Sequence, residues 1–283
     1  MASKNYRRKP ITKRKSNTSS RWIFYLISFV LLLIVAIGIY KFRDGFLYYL
    51  GFKTDKNVET LSKEERKLAD IRIYEVLHKH DEKAIGFDVS EYQSEIDWEQ
   101  TYHIDESFEL SFVFIRATAG KNKVDSRFKE NWKASKEREL IRGAYHYYRP
   151  NENSIEQAEN FIKTVKLQKG DLPPVLDIEK LPKSQSIDSL KVGLRRWLKK
   201  VEKHYKVKPI IYSGESYYTD FLKKEFSEYP LWIANYNFWR NDLEDDWQFW
   251  QFTEKAQIQG IEGMVDVNIF NGDKNKLLLK CIR

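Results

Sequence analysis

Residues 174–179 read Pro174-Val175-Leu176-Asp177-Ile178-Glu179, a short apolar run that ends in acids. Its length, its branched side chains and the proline before it predict a strand, and its near-continuous hydrophobicity predicts burial on both faces. Seven further runs share the pattern: Ala84–Ser90, Ser111–Ala117, Ile141–Tyr147, Pro209–Ser213, Leu231–Ala234, Trp247–Phe252 and Val265–Phe270. Helical stretches lie between many of them. Ser154-Ile155-Glu156-Gln157 reads as a capping box that opens the stripe Ile155, Ala158, Phe161, Ile162 and Val165. Ser186 precedes Ile187, Leu190, Leu194, Trp197, Leu198 and Val201, and Phe128–Leu140 forms another helical pattern. Strands alternating with helices predict an α/β fold, an irregular (β/α) barrel occupying residues 84–283. The connections from Ala234 to Trp247 and from Phe252 to Val265 show weak helical patterning, so the irregularity is expected there.

In such a barrel, chemistry sits at the C-terminal ends of the strands. Those ends are acidic: Asp88 on the first strand, Asp177 and Glu179 on the fourth, Asp266 on the last. Asp177 and Glu179 are two residues apart and so share one face. Two like charges on one face favour retention of a proton by one of them, which suits a general acid. Paired carboxylates with different protonation are what glycosidic cleavage requires. An ion-paired cluster and a divalent-metal site are the other readings of the same residues. Of the five histidines only His146 falls on a predicted barrel strand, which argues against a histidine-rich zinc site. There is no Gly-x-Ser-x-Gly elbow and no phosphate-cradling glycine loop, so no cofactor is expected. Tyr147, Tyr148, Tyr212, Trp232, Tyr236 and Trp250 lie at or just beyond the same ends. Sugar rings stack on such side chains, and about half of these are expected to line a cleft, the rest being core. Tyr147, Tyr212, Tyr236 and Trp250 are the candidate substrate contacts.

The remaining sequence concerns location. The 283 residues carry a formal net charge of +8, which alone would suggest nucleic acid. Lys4, Arg7, Arg8, Lys9, Lys13, Arg14, Lys15 and Arg21, with no acid among them, account for all of it, so residues 22–283 are neutral overall and no nucleic-acid partner is expected. Residues 22–40, WIFYLISFVLLLIVAIGIY, are uncharged and long enough as a helix for a bilayer core of about 30 Å. A basic tail (1–21), a transmembrane anchor (22–40) and a stalk (41–83) are therefore expected before the barrel. The positive-inside bias places the N-terminus in the cytoplasm and the barrel on the periplasmic or extracellular side. In the stalk, Ser62-Lys63-Glu64-Glu65 is a capping box opening a helix with Leu68, Ile71, Tyr74 and Leu77 on one face. His78 and His80 at its end read as solvated. A single cysteine, Cys281, excludes an internal disulfide, and a monomer is expected.

Several segments, in order, are similar to one family. Gly86-Phe87-Asp88-Val89-Ser90 with Tyr92-Gln93 and Ile96-Asp97-Trp98, then Phe114-Ile115-Arg116-Ala117-Thr118, resembles the opening of glycoside hydrolase family 25 lysozymes. Gly143-Ala144-Tyr145-His146-Tyr147-Tyr148, Pro174–Glu179, Ile211-Tyr212-Ser213 and Leu231-Trp232-Ile233-Ala234-Asn235-Tyr236 follow, then Trp250-Gln251-Phe252-Thr253, Gly260-Ile261-Glu262-Gly263 and Val265-Asp266-Val267-Asn268. The resemblance covers residues 84–272 and implies an irregular β/α barrel with N-acetylmuramidase activity on the β-1,4 bonds of peptidoglycan. It implies that Glu179 is the general acid and that Asp177 stabilises the sugar cation or an acetamido group. Asp88 and Asp266 match the family's other two acids. Ser94 stands where the family often has glycine, and a differently shaped first loop is expected. The family's frequent wall-binding modules are missing, which favours local wall remodelling. A catalytically silent glycan-binding protein is the alternative.

Overall fold

The computed structural model describes residues 22, 25–33 and 61–283. The chain divides into two units, Met1–Lys53 and Thr54–Arg283. In the first, residues 22 and 25–33 are helical; the rest of the expected anchor, the basic tail and the stalk up to residue 60 lie outside the described residues. Among the described residues no helix is long and apolar enough to cross a membrane.

In the second unit all eight apolar runs form strands. They are β1 (Ile85–Val89), β3 (Phe108–Ala119), β5 (Ile141–Tyr147), β6 (Val175–Asp177), β7 (Ile210–Gly214), β8 (Leu231–Ala234), β9 (Phe249–Ala256) and β10 (Val265–Phe270). Two short strands, β2 (His103–Ile104) and β4 (Lys123–Val124), pair antiparallel with β3. The eight main strands close in the order β1-β3-β5-β6-β7-β8-β9-β10, with β10 returning to β1. Neighbours are parallel from β1 to β9, whereas β10 is antiparallel to both β9 and β1. The barrel is therefore mixed, and its irregularity falls in the connections before β9 and β10, where no helix forms.

Alternation along each strand sorts side chains into an inner and an outer set. Phe114 of β3 stacks on Trp232 of β8 at 4.3 Å, and Phe112 meets Phe249 of β9 at 5.4 Å. These strands are not neighbours in the sheet, so the rings meet across the interior. Room for them comes from two glycines. A Cβ on Gly86 would lie 2.4 Å from the Phe112 carbonyl, and one on Gly143 would lie 2.5 Å from the Phe114 ring.

Outside the barrel run α1 (Lys63–Lys79), α2 (Phe128–Glu137), α3 (Ser154–Thr164) and α4 (Ile187–Tyr205), with α5 (Lys274–Leu278) after β10. The stripe on α4 is buried as expected at Leu190, Leu194, Trp197, Leu198 and Val201. Two local expectations are corrected. Asn153, not Ser154, caps α3, because its Oδ1 accepts from both the Ile155 and Glu156 amides; Ser154 is the first helical residue. Helix α1 has the capping box at Ser62 and Glu65, but it buries Arg72, Ile73, Val76 and Leu77 while Leu68, Ile71 and Tyr74 are exposed. The buried face is the one turned to β9, and a polar residue, Arg72, belongs to it. His80 is likewise buried rather than solvated: Nε2 donates to the Asn241 carbonyl at 2.9 Å, and the ring meets the Trp250 edge.

Candidate active site

The four predicted carboxylates come together at one mouth of the barrel, although by a route the strand pattern did not reveal. Asp88 is the penultimate residue of β1, and Asp177 ends β6 with Glu179 two residues beyond it. Asp266 is instead the second residue of β10. Because β10 runs antiparallel, its start faces the mouth, and the register sets Asp266 directly opposite Asp88. Asp88, Asp177 and Asp266 are buried, while Glu179 is half-exposed.

Asp88 is gripped. Its Oδ2 accepts from Gln251 Nε2 at 2.6 Å and from Asn268 Nδ2 at 2.8 Å. Both amides are oriented by donors on their oxygens. Tyr212 donates its hydroxyl to Gln251 Oε1 at 2.7 Å, Tyr236 donates to the same atom, and Trp232 Nε1 donates to Asn268 Oδ1 at 2.7 Å. Occupied carbonyls leave each amide only N–H groups to present to Asp88, so both amides are fixed as donors to it. In the sequence Gln251 and Asn268 are neutral polar residues within apolar runs, with no charge to mark them. Their signal was positional: both alternate inward, two residues from Phe249 and Asp266 respectively.

Tyr145 lies beneath this group. Burial pushes its hydroxyl ionisation well up, opposed by the Arg116 charge and reinforced by Asp88, Asp177 and Asp266. The fields of three of the four acids thus converge on one neutral phenol. Tyr147 is half-buried on the Glu179 side; burial, then the Glu179 and Asp177 charges, raise its ionisation and keep it a neutral donor. Tyr236 is 40% exposed and links the rim to Gln251. The other two aromatic candidates are buried. Tyr212 is buried with its ring on Trp232 at 4.5 Å and serves Gln251 through its hydroxyl. Trp250 is fully buried on the outer side of β9, one residue out of phase with inward Phe249 and Gln251, and its Nε1 donates to the Asn235 carbonyl.

The rim beside β1 is ionic. Arg116 bonds Asp125 at 2.8 Å and Glu91 at 2.9 Å and stacks under Tyr92, its centre 4.6 Å from the ring. Burial would raise the Glu91 carboxyl, but the bond from Lys123, the Ser126 amide and the Arg116 charge outweigh it and hold Glu91 at about 2. Ser94 has φ 54° and ψ −133°. That backbone favours glycine, so the loop keeps a glycine-type geometry despite the serine. His146 points away from the mouth, where Thr118 and Gln157 engage its two ring nitrogens. Among the described residues, no group of three His, Cys, Asp or Glu side chains has an arrangement that could hold a metal ion.

Comparison with known proteins agrees with this geometry. The family model described as Glycosyl hydrolases family 25 matches residues 87–261. The chain is 44% identical over 194 residues to the uncharacterized protein YegX of Escherichia coli strain K12, covering 68% of this chain and 71% of that protein. It is 32% identical to Lysozyme M1 of Streptomyces globisporus over 208 residues, covering 68% and 69%. Among solved structures, a family 25 glycosyl hydrolase from Bacillus anthracis is similar with a TM-score of 0.64 and 29% identity, over 72% of this chain and 95% of that one.

Proposed function

The chain belongs to glycosyl hydrolases family 25, and from that membership and the mouth geometry we propose that it cleaves the β-1,4 bond between N-acetylmuramic acid and N-acetylglucosamine in peptidoglycan. The observation that carries this reading is the division of labour among the four acids. Three are buried, at 4–7% exposed, whereas Glu179 is half-exposed. A general acid gives its proton to the leaving oxygen and regains one in each turnover, which a solvent-reachable carboxyl can do.

In the proposed reaction the Glu179 proton passes to the glycosidic oxygen, and the electrons of the breaking C1–O bond leave with that oxygen. Asp177, inward and in register with Tyr147 and Tyr212, stabilises the positive charge on the sugar or orients its acetamido group. Water completes the hydrolysis at C1. Asp88, held by two amides, supplies a fixed negative charge, and Asp266 adjoins it. Charge held in place before the reaction is the efficient way to favour a cationic transition state. Tyr147 and Tyr236 contact the substrate.

Zymography on purified peptidoglycan, with mass spectrometry of the products, tests the proposal. The wild type should clear the gel and release fragments with N-acetylmuramic acid at the reducing end. Glu179→Gln should lose roughly 10²–10⁴ of the rate. Equal clearing by both would overturn the assignment of the acid. Binding without new reducing ends would favour the silent glycan-binding alternative.

We also propose that residues 22–40 anchor the enzyme in the membrane, with the basic tail in the cytoplasm and the barrel on the periplasmic or extracellular side. The support is the uncharged nineteen-residue run behind eight basic residues, together with helical structure at residues 22 and 25–33.

A further inference from the structure

The connection from β8 to β9 has no helix where a barrel of this kind ordinarily has one, yet its backbone is fastened at several points. Arg72 of α1 is buried and donates to the carbonyls of Phe238 (3.4 Å), Arg240 (3.3 Å) and Phe252 (3.5 Å). His80 donates to the Asn241 carbonyl, and Lys79 pairs with Asp242 at 2.7 Å. From the other side, Glu215, the residue after β7, receives Arg240 at 3.2 Å and the Asn235 amide. Within the loop, Asn237 Oδ1 accepts from the Trp239 amide at 3.0 Å.

Trp239 stands out from this braced segment, 71% exposed, with its ring edge-on to Phe238 at 5.1 Å. The other six tryptophans of residues 61–283 are buried or half-buried. An indole this exposed on a secured backbone is a pre-set docking platform. The size and surroundings of the platform identify its occupant. Trp239 and its neighbour Phe238 are the exposed rings, and the chain on either side of them, Asn237 and Arg240 to Asp242, is polar, which suits neither a membrane nor a protein core. It fits a sugar, whose C–H face stacks on an indole while its hydroxyl and amide groups meet polar neighbours. The loop that carries the platform is held at the mouth end of the barrel, because Glu215, just past the end of β7, binds both Asn235 and Arg240, and Tyr236 between them bonds the Gln251 that grips Asp88.

We infer that Trp239 binds a saccharide unit of the glycan strand beyond the scissile bond, and that Arg72 is the positioning residue that sets the loop carrying it. The inference rests on the glycan-hydrolase reading above. It predicts a preference for long strands over short ones, since a strand that extends from the carboxylates to Trp239 gains the added stacking.

The test uses the full chain. In a Glu179→Gln background, co-sedimentation with purified peptidoglycan should show binding about tenfold weaker for Trp239→Ala, with partial recovery in Trp239→Phe. In the active background, the ratio of kcat/KM on long glycan strands to kcat/KM on a tetrasaccharide muropeptide should fall about tenfold, through KM. Arg72→Met should lower the same ratio and speed proteolysis within residues 237–246, with thermal unfolding measured alongside to show that the barrel is folded. An unchanged ratio and unchanged binding in Trp239→Ala would overturn the inference. A wild type that binds through Trp239 but cleaves neither substrate would overturn the hydrolase reading and leave the platform standing.

Discussion

Lowering the pH from 7 to 5 is expected to cost the barrel about 2 kcal/mol through a single side chain. His146 is fully buried between β5 and the helices outside it, stacked on Trp197 at 5.5 Å. Gln157 offers a carbonyl oxygen to Nε2, so Nε2 carries the hydrogen and Nδ1 accepts the Thr118 hydroxyl at 2.7 Å. Burial disfavours the cation, the Gln157 bond opposes this weakly, and Arg149 adds to it, bringing the imidazole from 6.5 down to about 3. The unfolded chain therefore takes up a proton below pH 6.5 that the folded barrel refuses. Stability from this source is complete above pH 6.5, declines as pH falls, and is exhausted near pH 3. At 1.36 kcal/mol per unit, the 1.5 units between 6.5 and pH 5 give roughly 2 kcal/mol. Urea denaturation at pH 7, 6 and 5 should be run on the wild type and on His146→Gln, whose amide can accept from Thr118 and donate to Gln157 without titrating. The wild type's stability relative to the variant should fall by about 2 kcal/mol across that range. Glu91, which loses its contribution only as pH drops below 4.5 toward 2, lies outside the window and cancels in the comparison. A difference that stays constant within a few tenths of a kcal/mol would show that His146 is not held neutral and would refute the reasoning.

Asn268→Leu removes one donor from Asp88 and strands the Trp232 indole N–H; denaturation should show a loss of about 1–3 kcal/mol, with peptidoglycan cleavage reduced, and wild-type stability would refute the network. If residues 22–40 are an anchor, the full chain should sediment with membranes after a carbonate wash and a chain lacking residues 1–40 should not; recovery of both in the soluble fraction would refute the anchor.

The strands of the fold were readable because burial on both faces imposes a contiguous apolar run, as Pro174–Ile178 and Val265–Phe270 illustrate. Strand direction was not. Whether Asp266 faces the mouth depends on β10 running antiparallel, and periodicity is blind to direction. The acids of the site stood out because charged residues interrupt apolar strands, whereas Gln251 and Asn268 are neutral and pass for ordinary polar positions. Trp250 illustrates a related point: a strand offers two faces, and only the phase set by Phe249 tells which one it takes. In α1, spacing alone selected Leu68, Ile71 and Tyr74, because a helix covering a surface with exposed carbonyls needs Arg72 turned inward, a requirement set by the loop it covers rather than by its own sequence.

The antiparallel return of β10 has a consequence at the wall of the barrel. Without helices before β9 and β10, that side would leave Trp250 and Phe252 facing water. Helix α1 lies there instead, with Ile73, Val76 and Leu77 joined to the same apolar cluster. It precedes the first strand in the chain, yet it occupies the place of a missing barrel helix. The compact unit, Thr54–Arg283, therefore takes in α1 as well as the strands, and a substitution on the inner face of α1 is a substitution in the wall of the barrel.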